Sequence, residues 1–187
     1  MCEWTKNLTK GEAVVKVFQR VRDIPYGVIG SRDPVKVLEA NKGTCSGKHF
    51  LLAALYRVMG LNVKDMVAFH KYESLPRNVE YPEELKVILQ KGDGIPDYHN
   101  FIKLYVNGNW LTLDATFEED LKEYFVVNDW NGKHDTTLSV KPVAIWEASN
   151  PVDFKMTKLN ELPLETRNYR KEFLKRFSDW LDLFRKK

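Results

Sequence analysis

Three side chains in this 187-residue chain have the types and the order that thiol chemistry on a carbonyl requires: Cys45, His99 and Asp114. Cys45 sits in Gly43-Thr44-Cys45-Ser46-Gly47-Lys48, a run of small and turn-prone residues that passes directly into the apolar stretch 50–56. That pattern predicts a helix with the cysteine at its start. A thiol there faces unpaired backbone N–H groups and the positive end of the helix dipole, which favours the thiolate. An imidazole that takes and returns the proton, and a carboxylate that orients it and stabilises its charged form, would complete the machinery for acyl transfer. The backbone N–H of Cys45 is one candidate donor to the oxyanion. Tyr26 and Gln19, upstream, are candidates for the second.

The histidine and the aspartate must be delivered by a hairpin. Tyr98 to Val106 and Asn109 to Ala115 flank Asn107-Gly108, a two-residue turn signal. With those two residues as the loop, Val106 pairs with Asn109, Tyr105 with Trp110 and Ile102 with Leu113. Alternation then gathers Ile102, Leu104, Val106, Leu111 and Leu113 on one apolar face. His99 and Asp114 fall on the opposite face as diagonal neighbours, within reach of each other. Trp110 is expected near the triad as an apolar wall, or else as a cross-strand partner of Tyr105. His49, four residues after Cys45 on the same helical face, reads as a packing residue or a donor supporting the site. No zinc set forms around it for want of further ligands, so no metal and no cofactor are expected.

The remaining elements follow from periodicity and punctuation. Val14, Val17, Phe18 and Val21 predict a helix over 12–22. Asp33-Pro34 starts a short helix over 34–39. The central helix runs 45–59, with Leu51, Leu52, Leu55, Val58 and Met59 on its apolar face and Gly60 as its stop. A strand covers 63–69. Residues 71–97, with Pro76, Pro82, Pro96 and Gly92-Asp93-Gly94, read as a surface insertion or lid with a helix over 83–90. Residues 118–124 read as helical and 139–146 as a strand. From 165 to 184 an amphipathic helix carries Tyr169, Phe173, Phe177, Trp180, Leu181 and Phe184 on one face. Arg167, Arg170, Lys171, Lys175 and Arg176 lie on the other, read as solvated.

Composition narrows the class. Hydrophobic residues make up 43% and charged residues 29%, the balance of a globular domain rather than a disordered chain. The net charge of +3 is too small to indicate a nucleic-acid partner, and the run 50–56 is too short to span a bilayer. With only Cys2 and Cys45 there is no disulfide framework, and the first residues lack the apolar core of a signal peptide. The expectation is one cytoplasmic, monomeric domain over 1–187, with no membrane partner, a core over 12–117 and a C-terminal extension over 142–187.

The residues also carry a family resemblance. Lys42-Gly43-Thr44-Cys45-Ser46-Gly47, the helix ending at Met59-Gly60-Leu61, His99 opening an aromatic and aliphatic strand, and Trp110-Leu111-Thr112-Leu113-Asp114-Ala115-Thr116 together resemble the core of the transglutaminase-like superfamily. The resemblance implies an α+β fold in which a cysteine-bearing central helix packs on an antiparallel sheet, with a papain-like Cys-His-Asp triad of Cys45, His99 and Asp114. It implies a cysteine hydrolase, protease or acyltransferase acting on a peptide or protein amide. The alternative is a peptide- or protein-binding module with a vestigial triad. Two positions depart from the pattern: Ser46 stands where the calcium-dependent animal enzymes have an aromatic residue, and Asn100 intervenes between His99 and Phe101. The chain also lacks room for the extra β domains of those enzymes.

Overall fold

The computed structural model describes residues 3–76, 79–90 and 94–185. Cys2, Gly92 and Asp93, which entered the sequence reading, lie outside the described residues. Among the described residues the architecture is α+β, with six α-helices and one four-stranded antiparallel sheet.

The first two helices are fixed by their caps. In α1 (Lys10–Arg22) Thr9 and Glu12 form a reciprocal capping box, and Val14, Val17, Phe18 and Val21 form the buried stripe. In α2 (Pro34–Ala40) the Asp33 carboxylate accepts from the N–H groups of Val35 and Lys36 at 2.8 and 3.1 Å. Asn41 then ends the helix in the left-handed region at φ 43°. α3 (Cys45–Val58) begins on the cysteine, as expected. Its buried stripe runs through Lys48, His49, Leu52, Ala53 and Tyr56. Val58, expected on the apolar face, is turned to solvent at 88% exposure because Tyr56 holds the core side of the last turn.

The sheet comprises β1 (Val63–Tyr72), β2 (Ile95–Val106), β3 (Asn109–Leu113) and β4 (Ala144–Glu147), in the order β3-β2-β1-β4. Asn107 and Gly108 both take positive φ, at 50° and 82°, and the strands pair Val106↔Asn109, Tyr105↔Trp110 and Ile102↔Leu113. This is the register a two-residue turn dictates. The ladder stops at Leu113, so Asp114 is the first residue past the strand.

α1 and α3 pack on the sheet through Phe18, Leu51, Leu52, Tyr56, Ile102 and Leu113. A second core forms where α4 (Glu83–Leu89) meets α6 (Leu164–Phe184). There Leu85 and Ile88 join Phe173, Phe177, Trp180 and Leu181, and the Tyr81 and Trp180 rings lie 4.6 Å apart. The stretch read as a surface insertion is therefore partly sheet, since β1 runs to Tyr72 and β2 starts at Ile95, and partly packed core. Three further expectations change. Residues 118–124 form only a 3-10 turn at Glu119–Leu121. The strand expected over 139–146 shrinks to β4, because Pro142 keeps its first half out of the ladder. A helix not anticipated, α5 (Pro151–Asn160), follows with Asn150 as its cap and packs Leu159 beside Val67 and Tyr98.

Candidate active site

The loop that delivers Cys45 is clamped before the helix begins. Gly27 N–H donates to Gly43 O at 3.0 Å and Gly43 N–H to Pro25 O at 3.1 Å, a short parallel bridge that ties Tyr26 to the turn ahead of the cysteine. A side chain at Gly47 would meet Val37 at 2.8 Å, so this glycine sets how closely α2 backs the first turn of α3. Thr44 makes no side-chain cap, which leaves the first-turn N–H groups uncapped beside the thiol.

His99 and Asp114 come together across the end of the hairpin. His99 Nε2 lies 2.9 Å from Asp114 Oδ2, with both residues almost fully buried. The imidazole also interacts with the Cys45 side chain, and each group shifts the titration of the other. Asp114 is held from every side. Its Oδ2 also accepts from Ser139 N–H at 2.7 Å, and its Oδ1 from Thr116 N–H at 3.0 Å. Burial alone would raise this carboxyl; His99 and the surrounding donors outweigh burial and hold it well below the usual carboxylate range.

The same balance sets the other two groups. Burial would raise the Cys45 thiol, but the Lys155 ammonium and the His99 hydrogen bond and charge outweigh it and lower the thiol to about 6. Burial would lower His99, but Asp114 and Cys45 outweigh it and raise the imidazole to about 10. Between those values sulfur and imidazole form a thiolate–imidazolium pair.

His49 supports this arrangement from within α3. Its Nδ1 lies 2.7 Å from Cys45 O, and its Nε2 accepts from Ala115 N–H at 2.8 Å. Burial lowers it to about 4, so it is neutral. With both ring nitrogens engaged it has no lone pair for a metal, and no group of three or more candidate ligands occurs among the described residues. Lys48, one turn after the cysteine, donates to Arg22 O and Thr116 O at 2.8 and 2.6 Å and fixes the corner that carries Asp114. Burial lowers its amine to about 7.

The remaining candidates separate. Tyr26 is buried and lies in the same apolar cluster as Cys45, with the Tyr72 side chain interacting with its phenol. Burial, then the neighbouring Cys45 and Asp97, push the Tyr26 phenol well above its ordinary value, so it stays protonated. Gln19 is not at the site. It lines a separate hollow of about 1050 Å³ between α1 and the hairpin tip, which contains none of Cys45, His99 or Asp114. Trp110 is not there either. It packs against Tyr105 with the ring centroids 5.3 Å apart and the rings tilted by 55°, under the Lys64 ammonium, on the outer part of the hairpin.

Two residues at the site escaped the sequence reading. Lys155 of α5 is 3% exposed. It donates to Ser46 Oγ at 3.0 Å and to Tyr98 O, with Asp97 Oδ1 at 3.9 Å. Arg170 of α6, read as solvated, is buried and clasps Asp97 through Nε at 2.8 Å and through Nη2. The two residues that depart from the family pattern meet each other here, Ser46 Oγ lying 2.7 Å from Asn100 Oδ1. The Asn150-Pro151 cap signal with Asp153 three residues on could have revealed α5; nothing local marks Lys155 within it.

Comparison with known proteins comes to the same region of the chain. The model of a family described as the transglutaminase-like superfamily matches residues 3–115. A solved structure named "Putative Cysteine Protease from Cytophaga hutchinsonii" is similar at a TM-score of 0.42 and 15% identity, covering 78% of this chain and 47% of that chain. This chain thus spans about half the length of that one. No curated protein matches. α5 and α6, which bring Lys155 and Arg170, lie beyond the residues matched to the family.

Proposed function

Because the chain belongs to the transglutaminase-like superfamily, we propose that it is a thiol-dependent amide acyl-transfer enzyme, a cysteine hydrolase or acyltransferase, with Cys45, His99 and Asp114 as its catalytic triad. The observation that carries this reading is the His99 Nε2–Asp114 Oδ2 hydrogen bond at 2.9 Å beside a thiol that His99 and Lys155 lower to about 6. The Cys45 thiolate attacks the carbonyl carbon. The negative charge that develops on oxygen is met by the uncapped N–H groups at the start of α3 and by the protonated Tyr26 hydroxyl as second donor. The His99 imidazolium gives its proton to the amide nitrogen, the C–N bond breaks, and the amine leaves a thioester on Cys45. Water or a second amine, deprotonated by the now neutral imidazole, then releases the acyl group and restores the pair. Asp114 keeps its charge throughout and fixes the ring. The same reading takes the whole of 1–187 as one functional unit, since Lys155 and Arg170 reach the triad's surroundings from the last two helices.

Cys45 is only 6% exposed, and that observation favours the alternative of a silent binding module. One experiment separates the two. The rate of alkylation by iodoacetamide, followed against pH in wild type and in Cys45→Ala, is expected to rise with an inflection near 6 and to vanish in the variant apart from Cys2. A panel of peptide and side-chain amides is expected to be turned over by the wild type alone. An inflection near the ordinary thiol value of 9, together with no turnover, refutes the enzymatic reading in favour of the binding one.

A further inference from the structure

Two hollows reach Cys45, and their linings differ in kind. Tyr26 and Cys45 belong to both and form the partition between them. One hollow, of about 420 Å³, contains His99 and is walled by Tyr72, Leu75, Phe117, Phe125 and Phe177. The other, of about 710 Å³, carries five cationic side chains, Arg32, Lys155, Arg170, Lys171 and Lys175, against the carboxylates of Asp33 and Asp97.

Both carboxylates are already engaged. Asp33 caps α2, and Asp97 is held by Arg170 with Lys155 close by. On the floor, the Asp97 carboxylate and the Cys45 thiolate face the two buried cations, Lys155 and Arg170, so the floor is balanced while the thiol is ionised and the unmatched positive charge lies at the rim. At the rim, Lys175 pairs with Asp179 along α6 at 2.8 Å, whereas neither Arg32 nor Lys171 has a carboxylate partner among the described residues. A partly enclosed cleft lined by one sign of charge attracts the opposite sign, and more strongly than open surface does.

We propose that the substrate is an acidic, amphipathic peptide amide. It would carry a carboxylate on the flank of the reacting carbonyl that enters the Arg32–Lys155–Lys171 hollow. An aromatic or branched aliphatic side chain would lie on the flank that enters the Phe117–Phe125–Phe177 hollow. This rests on the acyl-transfer reading for the position of the reacting carbonyl, while the charge preference itself is a property of the cleft.

The test uses short fluorescent peptides in which the central amide is flanked by Phe on one side and by Glu, Gln or Lys on the other, in both orders. Binding to full-length Cys45→Ala is measured by fluorescence anisotropy, and turnover by the wild type is measured in parallel. In one of the two orders, the Glu peptide is expected to bind and to react at least about tenfold better than its Lys counterpart, with the Gln peptide between them and the preference shrinking at high salt. Arg32→Glu with Lys171→Glu is expected to abolish or invert the ranking, with thermal melts showing that the variant folds. Equal binding of the Glu and Lys peptides in both orders, or a preference for Lys, overturns the proposal. Preferential binding of the Glu peptide with no turnover of any peptide upholds the charge preference and refutes the enzymatic reading instead. Turnover with no charge preference does the reverse.

Discussion

Two clusters of buried charge flank the same thiol, and they differ in origin. His99, Asp114, His49 and Lys48 belong to the hairpin and the central helix; every member sits on β2, on α3 or just beyond β3, within the residues matched to the family. Asp97, Lys155 and Arg170 come from β2, α5 and α6 and join parts of the chain that are 73 and 57 residues apart. The first cluster can move a proton, because one of its members titrates near 10 beside a thiol near 6. Asp97 and Arg170 of the second cannot do so in that range: Lys155 and Arg170 hold Asp97 well below the usual carboxylate range despite its burial, and Arg170 is raised further by Asp97, while burial lowers Lys155. The work of this second cluster is electrostatic and mechanical. It stabilises the thiolate and fastens the last two helices to the sheet. Proximity to a nucleophile therefore does not by itself mark a group as part of the proton path.

Substitutions can break or sharpen that contrast. The largest effect is expected in the first cluster. Asp114→Asn should lower kcat/KM by about ten-thousandfold with the fold intact, because the ring loses its orientation and its counter-charge. In the second cluster the largest effect should be on stability. Arg170→Met leaves Asp97 with Lys155, at 3.9 Å, as its only cationic partner among the described residues, and should cost about 3 kcal/mol in chemical denaturation. Asp97→Asn added to Arg170→Met should recover part of that. Lys155→Met should act on the thiol without touching the proton path. The alkylation inflection is expected to move up from about 6 toward the ordinary 9, with neutral-pH activity falling about tenfold for each unit moved beyond 7 and returning at alkaline pH. If Asp114→Asn and Lys155→Met instead change the pH profile in the same way, the division of labour is wrong.

The pH dependence follows with definite signs. Activity should rise through about 6 as the thiolate forms and fall through about 10 as His99 loses its proton, whereas alkylation, which needs only the thiolate, should rise once and stay high. For stability, the raised His99 contributes fully below its ordinary 6.5 and is lost as pH climbs through about 10. The depressed Asp114 contributes above the ordinary carboxylate range and is lost on acidification. The lowered Cys45 contributes above 9 and is lost as pH falls through about 6. Melting temperature should therefore decline at both ends of the range. The smallest expected effect lies outside both clusters: Trp110→Ala should cost about 0.5–1 kcal/mol through its cross-strand pair with Tyr105 and leave turnover unchanged.

The legibility of the two clusters in the sequence differed for a physical reason. The hairpin register follows from Asn107-Gly108 alone, because a two-residue turn with both φ positive permits one pairing, and that pairing carries His99 to Asp114. The start of α3 at Cys45 follows from small residues giving way to apolar ones. Capping made α2 readable to within one residue. The Asp97–Lys155–Arg170 group has no comparable local signature. A lysine in a short helix and an arginine on a charged helical face read as solvated wherever they occur, and only the packing of α5 and α6 takes these two out of water. Gln19 failed as a site residue for the converse reason: its helix was identified correctly, but the face it occupies turns toward the hairpin tip rather than the thiol.

The clasp between Arg170 and Asp97 has a consequence for the newborn chain. Translation makes Cys45 more than a hundred residues before Lys155 and Arg170, so the sulfur leaves the ribosome before the ammonium that helps to lower it. Until α5 and α6 emerge and dock, the thiol lacks its Lys155 partner, and the growing polypeptide holds a less reactive nucleophile in its midst.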